Sequence, residues 1–81
     1  MAEITVGRIV HYKLNQWDAD AVKEREGAVL PMIVCRVWPH EYGTGVPGVN
    51  GQVFLDGRDT LWVTSVREGT EPGTWQWPPR V

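Results

Sequence analysis

The feature that most constrains the fold is a ten-residue apolar run, Val29–Trp38, with the sequence VLPMIVCRVW. Gly27 precedes the run and Pro39 follows it, so its ends are marked by residues that interrupt regular structure. A strand is favoured over a helix, because Pro31 would break a helix and the β-branched residues resist helical rotamers. The run therefore predicts a central strand that is covered on both faces.

Alternating apolar and polar residues predict four further short strands, at residues 4–14, 49–56, 61–67 and 74–77. In the first of them, Gly7 predicts a bulge or bend. The Asp56-Gly57 pair predicts a tight turn that joins the third and fourth strands of the chain into a hairpin. Pro78 and Pro79 stop the last strand, which suits an edge of the sheet.

Two segments interrupt this pattern. Residues 15–27 are polar and predict either one helical turn, capped by Asp18 or Asp20 and ended by Gly27, or a long hairpin loop. Residues 39–48 are rich in glycine and predict an irregular loop. The fold prediction is a single all-β domain over residues 1–81, a small SH3-like antiparallel barrel of about five short strands. An OB-type barrel is disfavoured because it ordinarily needs a longer chain and a clear helix.

The amino-acid composition restricts the classes of binding partner and the cellular compartment that we expect. Ten acidic against eight basic residues give a net charge of −2, which argues against broad binding to nucleic acid. Cys35 is the only cysteine, so no intramolecular disulfide can form, and its apolar strand predicts a buried, inert thiol. No signal peptide and no apolar run of membrane-spanning length is visible, so we expect a cytoplasmic protein that does not enter a membrane.

Catalytic and metal-binding motifs are missing. Ser65 lies in a strand without a nucleophile elbow, and His11 and His40 have no ligand spacing with each other or with a carboxylate. A GxGxxG string at residues 43–48 lacks a surrounding βαβ unit and contains Pro47. We therefore expect a non-catalytic binding protein with no catalytic residue, no metal and no cofactor.

Five tryptophans are more than so small a core should absorb. Trp38 and Trp62 lie inside good strands, and we expect them in the core. Trp75 and Trp77 lie on one face of a terminal strand, and we expect them to meet a ligand. The other predicted ligand-binding residues either lie in the glycine-rich loop or carry a polar group that suits an anion: Tyr42, His40, His11, Arg8, Arg58 and Arg67.

Five blocks are distributed along the chain: GRIVHY from Gly7, PxIVxxVW from Pro31, VNxQVFxDG from Val49, LWxTSV from Leu61 and GTWxWP from Gly73. Together they resemble a group of very small proteins encoded by tailed bacteriophages and prophages, most of which carry no assigned function. Two positions depart from that group: Gly51 stands where a larger apolar residue is usual, and Gln76 stands where a histidine is common. The resemblance implies a phage accessory protein in the cytoplasm of an infected bacterium.

Three functional hypotheses follow. In the leading one, the aromatic and arginine side chains hold a small nucleotide, so that the protein sequesters a nucleotide immune signal of the host. In the second, the tryptophan-rich surface docks on a protein, either a virion or tail component or a host defence protein that it inhibits. The third is nucleic-acid binding by an SH3-like barrel. A homo-oligomer is expected in each case, because surplus apolar surface is commonly covered by a second copy.

Overall fold

The computed structural model of the protein describes residues 3–38 and 47–79. These residues form five strands and one short helix, in the order β1 (Ile9–Lys13), α1 (Gln16–Val22), β2 (Val29–Trp38), β3 (Gly48–Phe54), β4 (Thr60–Arg67) and β5 (Trp75–Gln76). The predicted central strand is confirmed with the same bounds. The first strand begins later than predicted, because Gly7 adopts φ +89° and turns the chain before β1.

The strands form one antiparallel sheet in the order β4-β3-β2-β1-β5, with β2 in the middle. The sheet curls until the segment after β4 meets β5. There the Gly69 amide donates to the Trp75 carbonyl oxygen at 2.9 Å, and Glu68 pairs with Trp75 as an isolated bridge. This contact partly closes the sheet, so the predicted all-β, SH3-like small barrel is confirmed.

One face of the sheet forms the core. The buried side chains on this inner face are Val10, Tyr12, Leu14, Met32, Val34, Val49, Val53, Val63, Val66 and Trp75, joined by Ala19 from α1. The outer face of β2 remains open, and Val29 is 44% exposed. The prediction that β2 is covered on both faces is therefore wrong. A small antiparallel sheet needs only one buried face, and its other face can meet solvent.

The polar insert forms a helix with caps other than those predicted. Asn15 begins α1, because its side-chain oxygen accepts a 2.8 Å hydrogen bond from the Asp18 amide. Lys23 ends it in the left-handed conformation, with φ +60°. Gly27, at φ +85°, instead directs the chain into β2 and donates its amide to the Leu14 carbonyl at 2.8 Å. The predicted helical turn is confirmed, and its predicted ends are wrong.

Two β-bulges interrupt the sheet beside β3. The pairing of β2 with β3 shifts between Val34 and Arg36, and the pairing of β3 with β4 shifts between Val49 and Gly51. Cys35 follows the buried Val34, so alternation along β2 already directs its side chain outward, and the predicted buried thiol is wrong. The extra residue at the first shift places Arg36 and Trp38 on the outer face as well.

The β4 side of the second bulge contains Ser65, which has φ +55°. The extra residue there lets Val63 and Val66, three positions apart, both point into the core. A strict alternation would have sent them to opposite faces.

The Tyr12 hydroxyl links β1 to the helix and makes the fold sensitive to alkaline pH. It donates to Asp18 Oδ2 at 2.7 Å. Burial, followed by the hydrogen bond and the charge of Asp18, raises the pKa of Tyr12 well above its usual value. The native state therefore keeps this phenol neutral at a pH where the unfolded chain ionises it. The stabilisation is complete below about pH 10 and declines above it, by up to about 1.4 kcal/mol per pH unit.

We accordingly expect the wild type to lose more unfolding free energy than Tyr12→Phe between about pH 8 and about pH 11. Urea unfolding of both proteins at each pH measures this, and the phenylalanine variant controls for lysine titration over the same range. Parallel losses in the two proteins would contradict the raised pKa.

Candidate functional site on the outer face of the sheet

Charge is distributed unevenly between the sheet and the rest of the chain. None of the ten acidic residues lies within the five strands. The strands do carry Lys13, Arg36 and Arg67. The strands that form the outer face therefore carry cationic side chains and no carboxylate, in a chain whose net charge is −2. Because local charge, more than net charge, sets the field over a surface, this face is suited to an anionic partner.

Asn50 holds Trp38 in place on this face. The Trp38 indole N–H donates to Asn50 Oδ1 at 3.2 Å, and the Ser65 amide donates to the same oxygen at 2.9 Å. The guanidinium of Arg36 lies 4.9 Å from the centre of the Trp38 ring. The bulge on each side of Asn50 brings these groups together. The result is an aromatic ring that is restrained by two contacts and still 40% exposed.

A second part of the outer face is uncharged and mostly apolar. Ile9, Ile33, Gln52 and Trp62 are successive cross-strand neighbours on β1, β2, β3 and β4. Ile9 is 54% and Trp62 is 49% exposed. Large apolar side chains grouped on one exposed face are typical of an interaction site. We refer below to the outer-face surface, which comprises Ile9, Ile33, Arg36, Trp38, Asn50, Gln52 and Trp62.

The tryptophans are distributed in the reverse of the predicted way. Trp75 is 3% exposed and belongs to the core, where it lies opposite Tyr12. Trp77 is partly buried and packs edge-on against Trp75, with ring centres 5.4 Å apart. Trp38 and Trp62, predicted as core residues, are exposed. The placement of Trp38 and Trp62 in the core is therefore wrong. The sequence does contain a signal for the exposure of Trp62. Alternation along β4 places Trp62 on the face opposite to that of its buried neighbour Val63.

Four predicted site residues lie near the edge strand β5 and its partner β1. The Arg8 guanidinium lies 5.4 Å from the centre of the Trp77 ring. His11 is the cross-strand partner of Gln76, beside Trp75. Because the Trp75 ring is buried, it cannot stack on a ligand here. Its indole nitrogen has no hydrogen-bond partner among the described residues.

The other predicted site residues do not join this edge. Arg67 is the last residue of β4, which spans roughly 26 Å over its eight residues, whereas Arg58 lies in the β3–β4 turn before that strand begins. Arg58 lines an open cleft of about 690 Å³ between the end of α1 and the β3–β4 turn, together with Lys23 and Asp59. Tyr42 and His40 lie outside the described residues. The eight predicted positions therefore do not form one pocket within the described ranges.

Within residues 3–38 and 47–79, no three His, Cys, Asp or Glu side chains are grouped as ligands of a metal ion. No helix in these ranges has the length and apolar character required to cross a membrane. Comparisons with protein-family models, curated proteins and solved structures gave no match to this chain. A function must accordingly be inferred from the chemistry of the outer-face surface.

Proposed function

We propose that this chain is a non-catalytic binding protein that holds a nucleotide-type ligand on its outer-face surface. The observation that carries the proposal is the exposure of Trp38 and Trp62 on one face of a sheet whose strands contain no carboxylate. A base that stacks on an aromatic side chain gains about 1–3 kcal/mol. Two such rings therefore supply useful affinity without a deep pocket.

Arg36 supplies the complementary charge. Its guanidinium packs on the Trp38 ring, and its side chain is exposed at the surface. A stacked guanidinium keeps its edge N–H groups available for paired hydrogen bonds to phosphate oxygens. No carboxylate on the neighbouring strands competes for this cation. A flat ring beside a phosphate is the chemistry that this part of the surface fits best.

The biological role that we propose is sequestration. A binding protein without catalytic groups lowers the free concentration of its ligand and releases the ligand unchanged. In a phage accessory protein, this would suppress a nucleotide immune signal in the cytoplasm of the infected bacterium. The phage setting is supported by the five sequence blocks, and the ligand class by the aromatic and basic chemistry of the surface.

A protein partner is the second candidate, and the row that contains Ile9 and Ile33 favours it. Aliphatic side chains contribute little to base stacking, whereas exposed aliphatic and aromatic groups together are typical of protein interfaces. A virion component, a host defence protein or a second copy of this chain would each cover this row. The row and the Trp38–Arg36 pair are neighbouring parts of one face, so one partner can use both.

Calorimetric titration with AMP, ADP-ribose and cyclic dinucleotides tests the proposed function. We expect at least one nucleotide to bind the wild type, and Trp62→Ala to weaken that binding about tenfold or more, because a stacking platform is lost. Trp17→Ala is the matched control, since Trp17 is 84% exposed on α1, outside the outer-face surface. The absence of heat with every nucleotide would refute the proposal, and so would equal losses in the Trp62 and Trp17 variants.

A further inference from the structure

We further propose, on the basis of the proposed function, that the ligand has two planar rings joined by a phosphate linker and crosses β3 between Trp38 and Trp62. The register supports this arrangement. Trp62 on β4 is the cross-strand partner of Gln52, whereas Trp38 on β2 reaches across to Asn50. The two tryptophans therefore project from the strands on either side of β3. Their partners there, Gly48 and Gln52, are four positions apart, roughly 13 Å along the strand, which is more than a single planar ring covers.

The two amides between the indoles are suited to contact the edges of the ligand. Asn50 and Gln52 are two positions apart on β3, roughly 7 Å along one face of the strand. Asn50 Oδ1 already accepts two hydrogen bonds from N–H groups. That identifies the oxygen of the amide and leaves the Asn50 NH₂ group to donate to a ligand acceptor. No described residue hydrogen-bonds the Gln52 side chain, so both its donor and its acceptor remain available.

Arg36 is placed to contact the linker. It is the cross-strand partner of Asn50, so its side chain starts beside that amide and lies along the Trp38 ring. A phosphate between the two rings would lie near this guanidinium. The surface therefore presents a ring, a cation, two amides and a second ring in sequence. The same chemistry occurs in a free dinucleotide and in two adjacent nucleotides of a single strand.

Titration of the wild type with AMP, adenylyl-adenosine and a short oligoadenylate tests the two-ring ligand. We expect adenylyl-adenosine to bind about tenfold or more tightly than AMP, because a second base stacks. This advantage should disappear in Trp62→Ala. If AMP and adenylyl-adenosine bind equally to the wild type, the two-ring proposal fails while the proposed function stands. If no nucleotide binds, the proposed function itself fails.

The oligoadenylate distinguishes the two sources of the ligand. Overlapping two-base sites on the oligoadenylate raise its apparent affinity by a factor equal to their number. A gain over adenylyl-adenosine larger than this factor indicates that the ligand is a single strand. Equal affinity per site indicates a free dinucleotide. Either result agrees with a two-ring ligand.

Asn50→Asp tests the role of the amide without removing the oxygen that Trp38 and Ser65 contact. We expect it to weaken binding of adenylyl-adenosine more than Thr64→Asp does. Thr64→Asp adds the same charge at an exposed position on the neighbouring strand and leaves the amide in place. Equal losses would show that charge alone matters and would overturn the assignment of Asn50 as a donor to the ligand. Indole fluorescence of the unliganded variants checks that Trp38 keeps its environment.

Discussion

Trp75→Ala is expected to lose about 3–5 kcal/mol of unfolding free energy, which is typical for removal of a buried tryptophan. A domain of this length has roughly 4–12 kcal/mol in total, so the expected loss is about a quarter of the total stability or more. The Trp75 ring is 3% exposed, lies opposite Tyr12 and packs edge-on against Trp77. Its backbone also forms the contact with Gly69 that closes the barrel. Loss of the ring thus leaves a cavity next to the contact between Gly69 and Trp75 that closes the sheet.

Two matched variants make this result specific. Trp62→Ala removes an equally large ring that is 49% exposed, and we expect a change within about 1 kcal/mol. Trp75→Phe keeps a ring in the core and removes an indole nitrogen that has no described partner, so it should cost less than alanine. Urea unfolding followed by circular dichroism measures all three. Similar losses for Trp75→Ala and Trp62→Ala would show that the assignment of core and surface is wrong.

Gly51→Val is expected to destabilise the fold by about 3 kcal/mol or more, the upper part of the range for overpacked cores. A Cβ atom at this position would lie 2.6 Å from the Ile33 carbonyl oxygen and 2.8 Å from Met32 Cγ. The carbonyl belongs to the central strand, so it cannot move without disturbing the pairing of β2 with β3. The Met32 side chain fills the space that a larger residue at Gly51 would need.

The double variant Gly51→Val/Met32→Val should recover part of this loss and not all of it, because the contact with the Ile33 carbonyl remains. Gln52→Ala, at the next position on the outer face of β3, controls for a general weakening of the strand. The urea midpoints of the four proteins measure both effects. A Gly51→Val variant as stable as the wild type would contradict the close approach of β2 to β3 at this point.

Much of the sheet could be predicted because its signals are local. The apolar run that ends at Trp38 defines β2 with the same bounds in the sequence and in the structure. The Asp56-Gly57 pair marks the β3–β4 turn, where Gly57 has φ +155°. Alternation along β1 and β3 correctly separates buried positions from those that are at least partly exposed. In each case a few neighbouring residues decide the outcome.

The candidate site was predicted less well. Arg8 and Trp77 do meet, but Trp75 lies in the core. Arg67 ends β4, and Arg58 lies in the turn before β4 begins. The outer-face surface depends on Asn50, which no sequence pattern marks as a site residue. Asn50 holds Trp38 only because residues from three strands meet there. No spacing within one strand reports such a contact.

The sequence by itself determined that this chain forms a small antiparallel barrel with β2 at its centre, because apolar alternation and turn residues act over a few positions. Only the tertiary structure decided that Trp38 faces solvent and that Trp75 lies in the core. The bulges at Cys35 and Ser65 shift the register of neighbouring strands, and the curl of the sheet brings Trp75 under the segment after β4. Register and closure arise from pairing between distant segments, so the inward or outward direction of a large ring is settled only when those strands pair.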